Sequence, residues 1–335
     1  MRQQQTERYR EPSFEEAVDI ADEVRQWRRD RRKVIAMRVV AALLIILAIG
    51  IGGFPTFLQY QSAQELRNTS NRSAQTVAGW PYPQADETFA AAKAYNRRLA
   101  ASGQPILGEA QDPFSQVQGG SQSSESGAAE SNSASAKDKE YQSLLDSGSG
   151  VMGTIRIPKI SVRLPIYHGT SQSALASGAG HLYGSSLPVG GRSTHAVITG
   201  HRGLVEAMMF TRLDEMRVGD YFYIEVMGRT LGYKVDRISV IEPNDTSNLK
   251  IVPGEDRVTL MTCTPYGVNT HRLLVSAVRS AIPGVVPEER NAAKDARTIA
   301  ITAAVATLLL GLLLVWLRRR PWHIRRHAAW WPKRG

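Results

Sequence analysis

The sequence predicts an all-β fold: a closed antiparallel barrel with short helices, carried between two transmembrane helices. Three observations predict it. Between residues 140 and 283, short alternating apolar runs are broken at close intervals by Gly, Pro and Asn, which is the pattern of strands and tight turns. Two runs, residues 39–58 and 298–317, carry no charge, and each is about 20 residues, the length of helix that crosses a hydrocarbon core of about 30 Å. Lysine and arginine crowd the outer flank of each run, as RQWRRDRRK before the first and RRRPWHIRR after the second.

In chain order, residues 1–38 form a polar tail rich in charge. A cleaved signal peptide fits the first apolar run poorly, because that long charged segment precedes it and no small-x-small cleavage site follows. The flanking basic residues place both termini in the cytoplasm and residues 59–297 outside the cell. Within 59–139, DETFAAAKAYNRRLAA (86–101) reads as a helix with Phe89, Tyr95 and Leu99 as its apolar positions. A loop follows that contains Asp112-Pro113-Phe114, and then a Ser/Gly/Gln/Ala-rich stretch over 115–139 reads as a flexible linker. The segment 140–283 supplies seven or eight strands, among them a hairpin turning near Gly228-Arg229 and two strands joined through PYGVN. A closed barrel is the economical arrangement, since closure removes exposed strand edges. Residues 284–297 are a juxtamembrane linker, 298–317 the second span, and 318–335 a basic cytoplasmic tail.

The formal net charge of +10 does not imply nucleic acid. Residues 1–58 hold 10 basic and 8 acidic side chains and residues 298–335 hold 7 and none, which leaves 24 basic and 23 acidic for the exterior segment. The basicity sits beside the membrane, where topology and anionic lipid account for it. Membrane lipids are therefore the expected contact.

The sequence has one cysteine, Cys263. A secreted domain with one thiol forms no internal disulfide, so the residue is either a small apolar filler or a reactive group. Its context, TLMTCTPYG, puts it at the end of a strand where a sheet meets a loop, an accessible place. Nine residues later Arg272 opens the next strand. If the two strands pair through the turn, the guanidinium returns to the thiol, where a cation favours the thiolate and a planar fork of donors suits a developing oxyanion. A cysteine nucleophile also needs a proton acceptor, usually His. Five histidines lie in the exterior segment between the two spans, at 168, 181, 195, 201 and 271. Composition does not choose among them, although His201 sits between glycines at a strand end (TGHRG) and His271 faces away from Arg272.

TLMTCTPYGVNTHRLLV resembles the sortase active-site signature, and AVITGHRG resembles the segment carrying the sortase histidine. PKISVRLPIYHGT, GHLYGSSLPVGG and DTSNLKIVPG are similar to stretches of class C, pilin-polymerising sortases of Gram-positive bacteria. The resemblance covers residues 153–279. It implies a sortase-type barrel in which Cys263 is the nucleophile, His201 its acid–base partner and Arg272 the stabiliser of the substrate backbone and oxyanion. It implies cleavage of an LPXTG-like sorting signal through a thioester and transfer to a lysine of a pilin subunit, with no cofactor and no metal. Asp112-Pro113-Phe114 resembles the lid motif of that class, with Phe114 over the cysteine and Asp112 near the arginine. The second span also points to class C rather than to a housekeeping sortase that joins proteins to peptidoglycan precursor. An L,D-transpeptidase would carry its Arg two residues after the Cys, and a papain-like peptidase would place its Cys early and on a helix. A membrane-tethered binding module with an inert thiol is the non-enzymatic alternative.

Overall fold

The computed structural model describes residues 14, 19–105, 107, 133–148, 150–282 and 305–312. They divide into two compact units: one takes the residues up to Ser62 together with Val205–Ala207, and the other, from Ala63 onward, holds the barrel.

Helix α1 (Ala21–Ala78) runs through Pro55. Its stretch Val24–Ala78 is, among the described residues, the one helix long and apolar enough to cross a membrane. Of the second apolar run only residues 305–312 are described, and they are helical, so a pair of spans is not established. The helix also continues for twenty residues past the first apolar run. There Leu66, Ser70 and Val77 are buried at helical spacing, and Ser73 Oγ meets Ser147 Oγ at 2.5 Å.

Helix α2 (Gln84–Ser102) begins with Asp86 and Glu87 in its first turn and ends at Gly103, whose φ is 74°. These are the dipole-matched start and left-handed stop expected of a well-formed helix. Phe89, Ala92, Asn96 and Leu99 form its buried face. Asn96 holds Leu187 by both backbone groups, with Nδ2 donating to the carbonyl at 2.9 Å and Oδ1 accepting from the N–H at 2.7 Å. Short helices α3 (Ala134–Lys137) and α4 (Lys139–Ser143) follow, inside or across the edge of the stretch that composition reads as linker. Ser133 caps α3 by accepting from the Ala136 N–H, and Asp138 caps α4 by accepting from the Tyr141 N–H. Tyr141 is wholly buried.

The barrel strands are β1 (Val151–Ile157), β2 (Val162–His168), β3 (Ala179–His181), β4 (Thr194–Thr199), β5 (Tyr221–Val226), β6 (Arg229–Ile241), β7 (Asp256–Thr264) and β8 (His271–Arg279), with α5 (Gln172–Ser177) between β2 and β3. Among the described residues these eight strands close a barrel in the order β1-β2-β3-β4-β7-β8-β6-β5. The hairpin β5–β6 turns on Met227 and Gly228, both at positive φ, the geometry whose twist matches paired strands.

The barrel is not purely antiparallel. β2 pairs with β3 and β4 pairs with β7 in parallel. The first pair is bridged by α5 and the second by a long excursion that includes the β5–β6 hairpin, so the chain re-enters the sheet in its original direction. Apolar alternation along a strand encodes which face is buried but not the direction of its neighbour.

Candidate active site

The strip β4–β7–β8 sets Cys263 against Arg272 by strand register and carries His201 just past the end of the β4–β7 ladder. In the antiparallel pair β7–β8, Cys263 lies directly opposite Arg272, so both side chains emerge on one face about 5 Å apart at Cα. In the parallel pair β4–β7, Thr199 is level with Met261, and the Gly200 N–H continues the ladder to the Met261 carbonyl at 3.1 Å. His201 and Cys263 each lie two residues beyond that Thr199–Met261 pair, so they come level on the same face. The cysteine is flanked by the histidine segment on one side and by the arginine on the other.

Local packing explains why the histidine segment is built as it is. A Cβ at Gly200 would meet the Phe210 ring at 2.7 Å, so only glycine fits beneath that ring. The Phe210 N–H donates to the His201 carbonyl at 3.0 Å. The Thr262 hydroxyl donates to the Gly200 carbonyl at 2.7 Å, which ties the histidine turn to the cysteine strand from the opposite face. Burial pushes the His201 imidazole below its usual range, favouring the neutral ring at neutral pH.

Arg272 is 1% exposed. Its Nη1 donates to the carbonyls of Asn269 at 2.9 Å and His271 at 2.8 Å, fixing the plane of the guanidinium. Cys263 is in no disulfide. At 4% exposure it is far less open than its place at a strand end suggests. Leu175 of α5 packs with it, a neighbour that sequence spacing gave no means of finding.

On the same face as Cys263, an apolar patch of Leu182, Val197, Leu249, Met261 and Leu274 is covered by Leu107. Gln104, at the end of α2, clamps that covering segment. Its Oε1 accepts from the Ile251 N–H at 2.6 Å and its Nε2 donates to the Gly184 carbonyl at 3.2 Å. Asp112 and Phe114 lie outside the described residues.

The other four exterior histidines are engaged by the fold. His181 Nε2 donates to the Ser186 carbonyl at 2.8 Å, and its Nδ1 accepts from the Tyr141 hydroxyl at 2.9 Å. His195 Nδ1 donates to the Lys250 carbonyl at 2.8 Å, and its Nε2 accepts from the Thr259 hydroxyl at 2.7 Å. Burial lowers both rings to about 4. The two nitrogens of His168 face the carbonyls of Gly150 and Leu144. His271 is half-exposed and lies 3.4 Å from Glu242. Among the described residues no group of His, Cys, Asp and Glu could hold a metal ion.

The chain is similar to known sortases. The sortase-domain family model matches residues 155–280. The sortase A of Streptococcus agalactiae is 30% identical over 130 residues, 38% of this chain and 52% of that relative; the match spans about half the length of the curated relatives. Among solved structures, sortase C1 of Streptococcus agalactiae from pilus island 1 is 39% identical with a TM-score of 0.55, over 66% of this chain and all of that one. Sortase C of Streptococcus pneumoniae, described in connection with catalysis and pilin substrate specificity, is 37% identical with a TM-score of 0.54, over 65% of this chain and all of that one. With its barrel, its cysteine strand and these relatives of 37–39% identity, the chain belongs to the sortase family, and its structural relatives are sortases of class C.

Proposed function

We propose that this chain is a membrane-anchored cysteine transpeptidase of the pilin-polymerising type, with Cys263, His201 and Arg272 as its catalytic residues. The observation that carries the reading is the shared level of the three on one sheet face, Cys263 opposite Arg272 and two residues past the last β4–β7 pair.

The chemistry follows from their states. A neutral His201 takes the thiol proton as Sγ attacks the carbonyl carbon at the Thr–Gly bond of an LPXTG-like signal. The oxyanion of the tetrahedral intermediate develops beside the Arg272 guanidinium, whose orientation is fixed before the substrate arrives. Collapse breaks the C–N bond, and the His201 imidazolium gives its proton to the departing glycine amine. The thioester then meets the amine of a pilin lysine; His201 accepts the amine proton and returns it to the released sulfur.

In this reading the run 298–317 is a second span, both termini are cytoplasmic and residues 59–297 face outward, with lipid around the spans. Asp112 and Phe114 form a lid over the cysteine, its stem held by Gln104 and Leu107. The test uses the full-length protein in detergent, an LPXTG-type peptide and a pilin domain carrying a lysine. A thioester on Cys263 and an isopeptide product should be seen by mass spectrometry, and neither with Cys263→Ala. A ligated product from Cys263→Ala would sink the assignment. The curated relatives, named sortase A, favour a second reading, attachment of proteins to a peptidoglycan precursor. Offering a peptidoglycan-type amine in competition with the pilin lysine separates the two.

A further inference from the structure

Immediately after His201 comes a buried cation that the scheme above does not use. The Arg202 side chain is only 5% exposed. Its Nη1 donates to the backbone carbonyl of Cys263 at 3.3 Å and to the Thr264 hydroxyl at 3.1 Å. Its Nη2 pairs with Asp214 at 2.5 Å, on the short helical turn Leu213–Glu215. The guanidinium carbon stands 5.9 Å from the centre of the Tyr266 ring, within the range of a cation–π contact. Tyr266 is crowded against the same segment, since a Cβ at Gly203, where φ is +82°, would lie 3.1 Å from its ring. The Gly203 N–H is in turn held by the Thr211 hydroxyl at 3.0 Å.

A guanidinium is costly to bury unless its hydrogen bonds and its charge are met. Here its charge and its two terminal nitrogens are met by three separate pieces of the site, the cysteine strand end, the loop after it and the turn after the histidine, while Nε has no partner among the described residues. The ladder between β4 and β7 ends at Gly200, one residue before His201. Beyond that point no strand pairing sets the distance from imidazole to thiol, and acyl transfer is sensitive to displacements of about 1 Å. Arg202 spans this gap, holding the carbonyl of the nucleophile from the residue next to the base.

We propose that Arg202 is a positioning residue, fixing the His201 segment against Cys263 through the Cys263 carbonyl, Thr264 and Asp214, without touching the substrate. Lysine could supply the charge but not a fork able to reach Cys263 and Asp214 together. The proposal rests on the catalytic roles given above, so one readout needs no sorting signal.

The experiment uses the full-length protein in detergent, with Arg202→Gln, Arg202→Lys and Asp214→Asn beside wild type. Three quantities are measured: the rate of Cys263 modification by a methanethiosulfonate reagent against pH, kcat and KM on an LPXTG-type peptide, and the melting temperature. For Arg202→Gln, kcat should fall about 10- to 100-fold with KM within about threefold, the scale of a misplaced catalytic group. Its modification profile against pH should shift, Arg202→Lys should recover part of kcat, and Asp214→Asn should lose several-fold. An unchanged kcat and pH profile in Arg202→Gln, or a rise in KM alone, would overturn the proposal. So would a kcat loss that follows the melting temperature equally in all three variants. Should Arg202→Gln fail to fold, Asp214→Asn decides: unchanged kcat and profile there would also overturn it. If wild type does not turn over the peptide while the variants still shift the modification profile, the positioning role stands and the sorting reaction is what fails.

Discussion

Two regions of this barrel are built from the same kinds of residue and do different things. One is the nest around Tyr141, where His168, His181 and Tyr183 pack with it as edge-on or tilted rings. The other is the end of the β4–β7–β8 strip. In the nest, both nitrogens of His181 are consumed by a carbonyl and a hydroxyl, and the Gly169 N–H closes on Tyr141 at 2.9 Å. The rings there hold α4 and the β3 end to the barrel. At the strip, the backbone of His201 is held by the Phe210 N–H on its carbonyl, one residue past the end of the β4–β7 ladder. Burial and lowered histidine titration occur in both regions, so neither marks the proposed catalytic one. The distinction lies in position: His181 sits within β3, separated from the cysteine strand by β4, whereas His201 directly follows the β4 ladder that runs beside it.

Paired substitutions break or sharpen this contrast. Arg272→Lys keeps the charge but loses the fork, and kcat should fall about 10²- to 10³-fold, as when an oxyanion donor is removed. His181→Ala should lower the melting temperature while leaving kcat per folded molecule within about twofold of wild type, because it opens a buried polar network remote from the thiol. Steady-state kinetics with thermal denaturation decides. A Lys variant of near wild-type kcat would reduce Arg272 to a bulk charge, and a His181 variant that folds but is inactive would erase the difference between the regions.

Acid offers a second handle. His181 and His195 titrate near 4 in the fold because burial disfavours the charged rings, against about 6.5 in an unfolded chain. Between these values the unfolded chain binds more protons. The stability each ring contributes is therefore complete above pH 6.5 and is lost as pH falls towards 4, by roughly 3 kcal/mol per ring. Denaturant unfolding at pH 7 and pH 4.5 should show the drop, and a variant with His181 and His195 both replaced should show much less of it. An equal drop in that variant would place the acid sensitivity elsewhere.

The smallest effect concerns the proposed lid. Asp112→Ala with Phe114→Ala should raise the modification rate of Cys263 by about tenfold, the worth of one aromatic contact and one partly exposed ion pair. Barrel stability should hold. Equal rates would leave the Asp-Pro-Phe segment a simple turn.

Much of this organisation was legible in the sequence, for physical reasons. The hairpin at Gly228, the helix around Phe89 and Leu99, and the opposition of Cys263 to Arg272 follow from local periodicity and from a nine-residue spacing across one turn. The parallel neighbours of β2 and β7 did not, because alternation carries no direction. His201 was separable from the other four histidines only by resemblance to the family, since what sets them apart is distant: the Ser186 and Lys250 carbonyls that consume His181 and His195. The role of Asn96 on the buried face of α2 is not legible in local sequence, because its partner Leu187 is 91 residues away. Leu175 and Arg202 gave no warning, as each acts through a contact that only the closed barrel creates.

The clamp at Gln104 has a consequence for diffusion. With Leu107 seated on the face that carries Cys263, only five peptide links separate that fixed point from Asp112, a reach of at most about 17 Å. In the proposed lid a group on so short a tether is confined to a small volume, equivalent to a local concentration of roughly tens of millimolar or more. A lid of the kind proposed needs little intrinsic affinity to stay on its site, and a free peptide at micromolar levels competes with it poorly. A substrate presented in the plane of the same membrane is itself concentrated by that confinement, and so meets the cover on comparable terms.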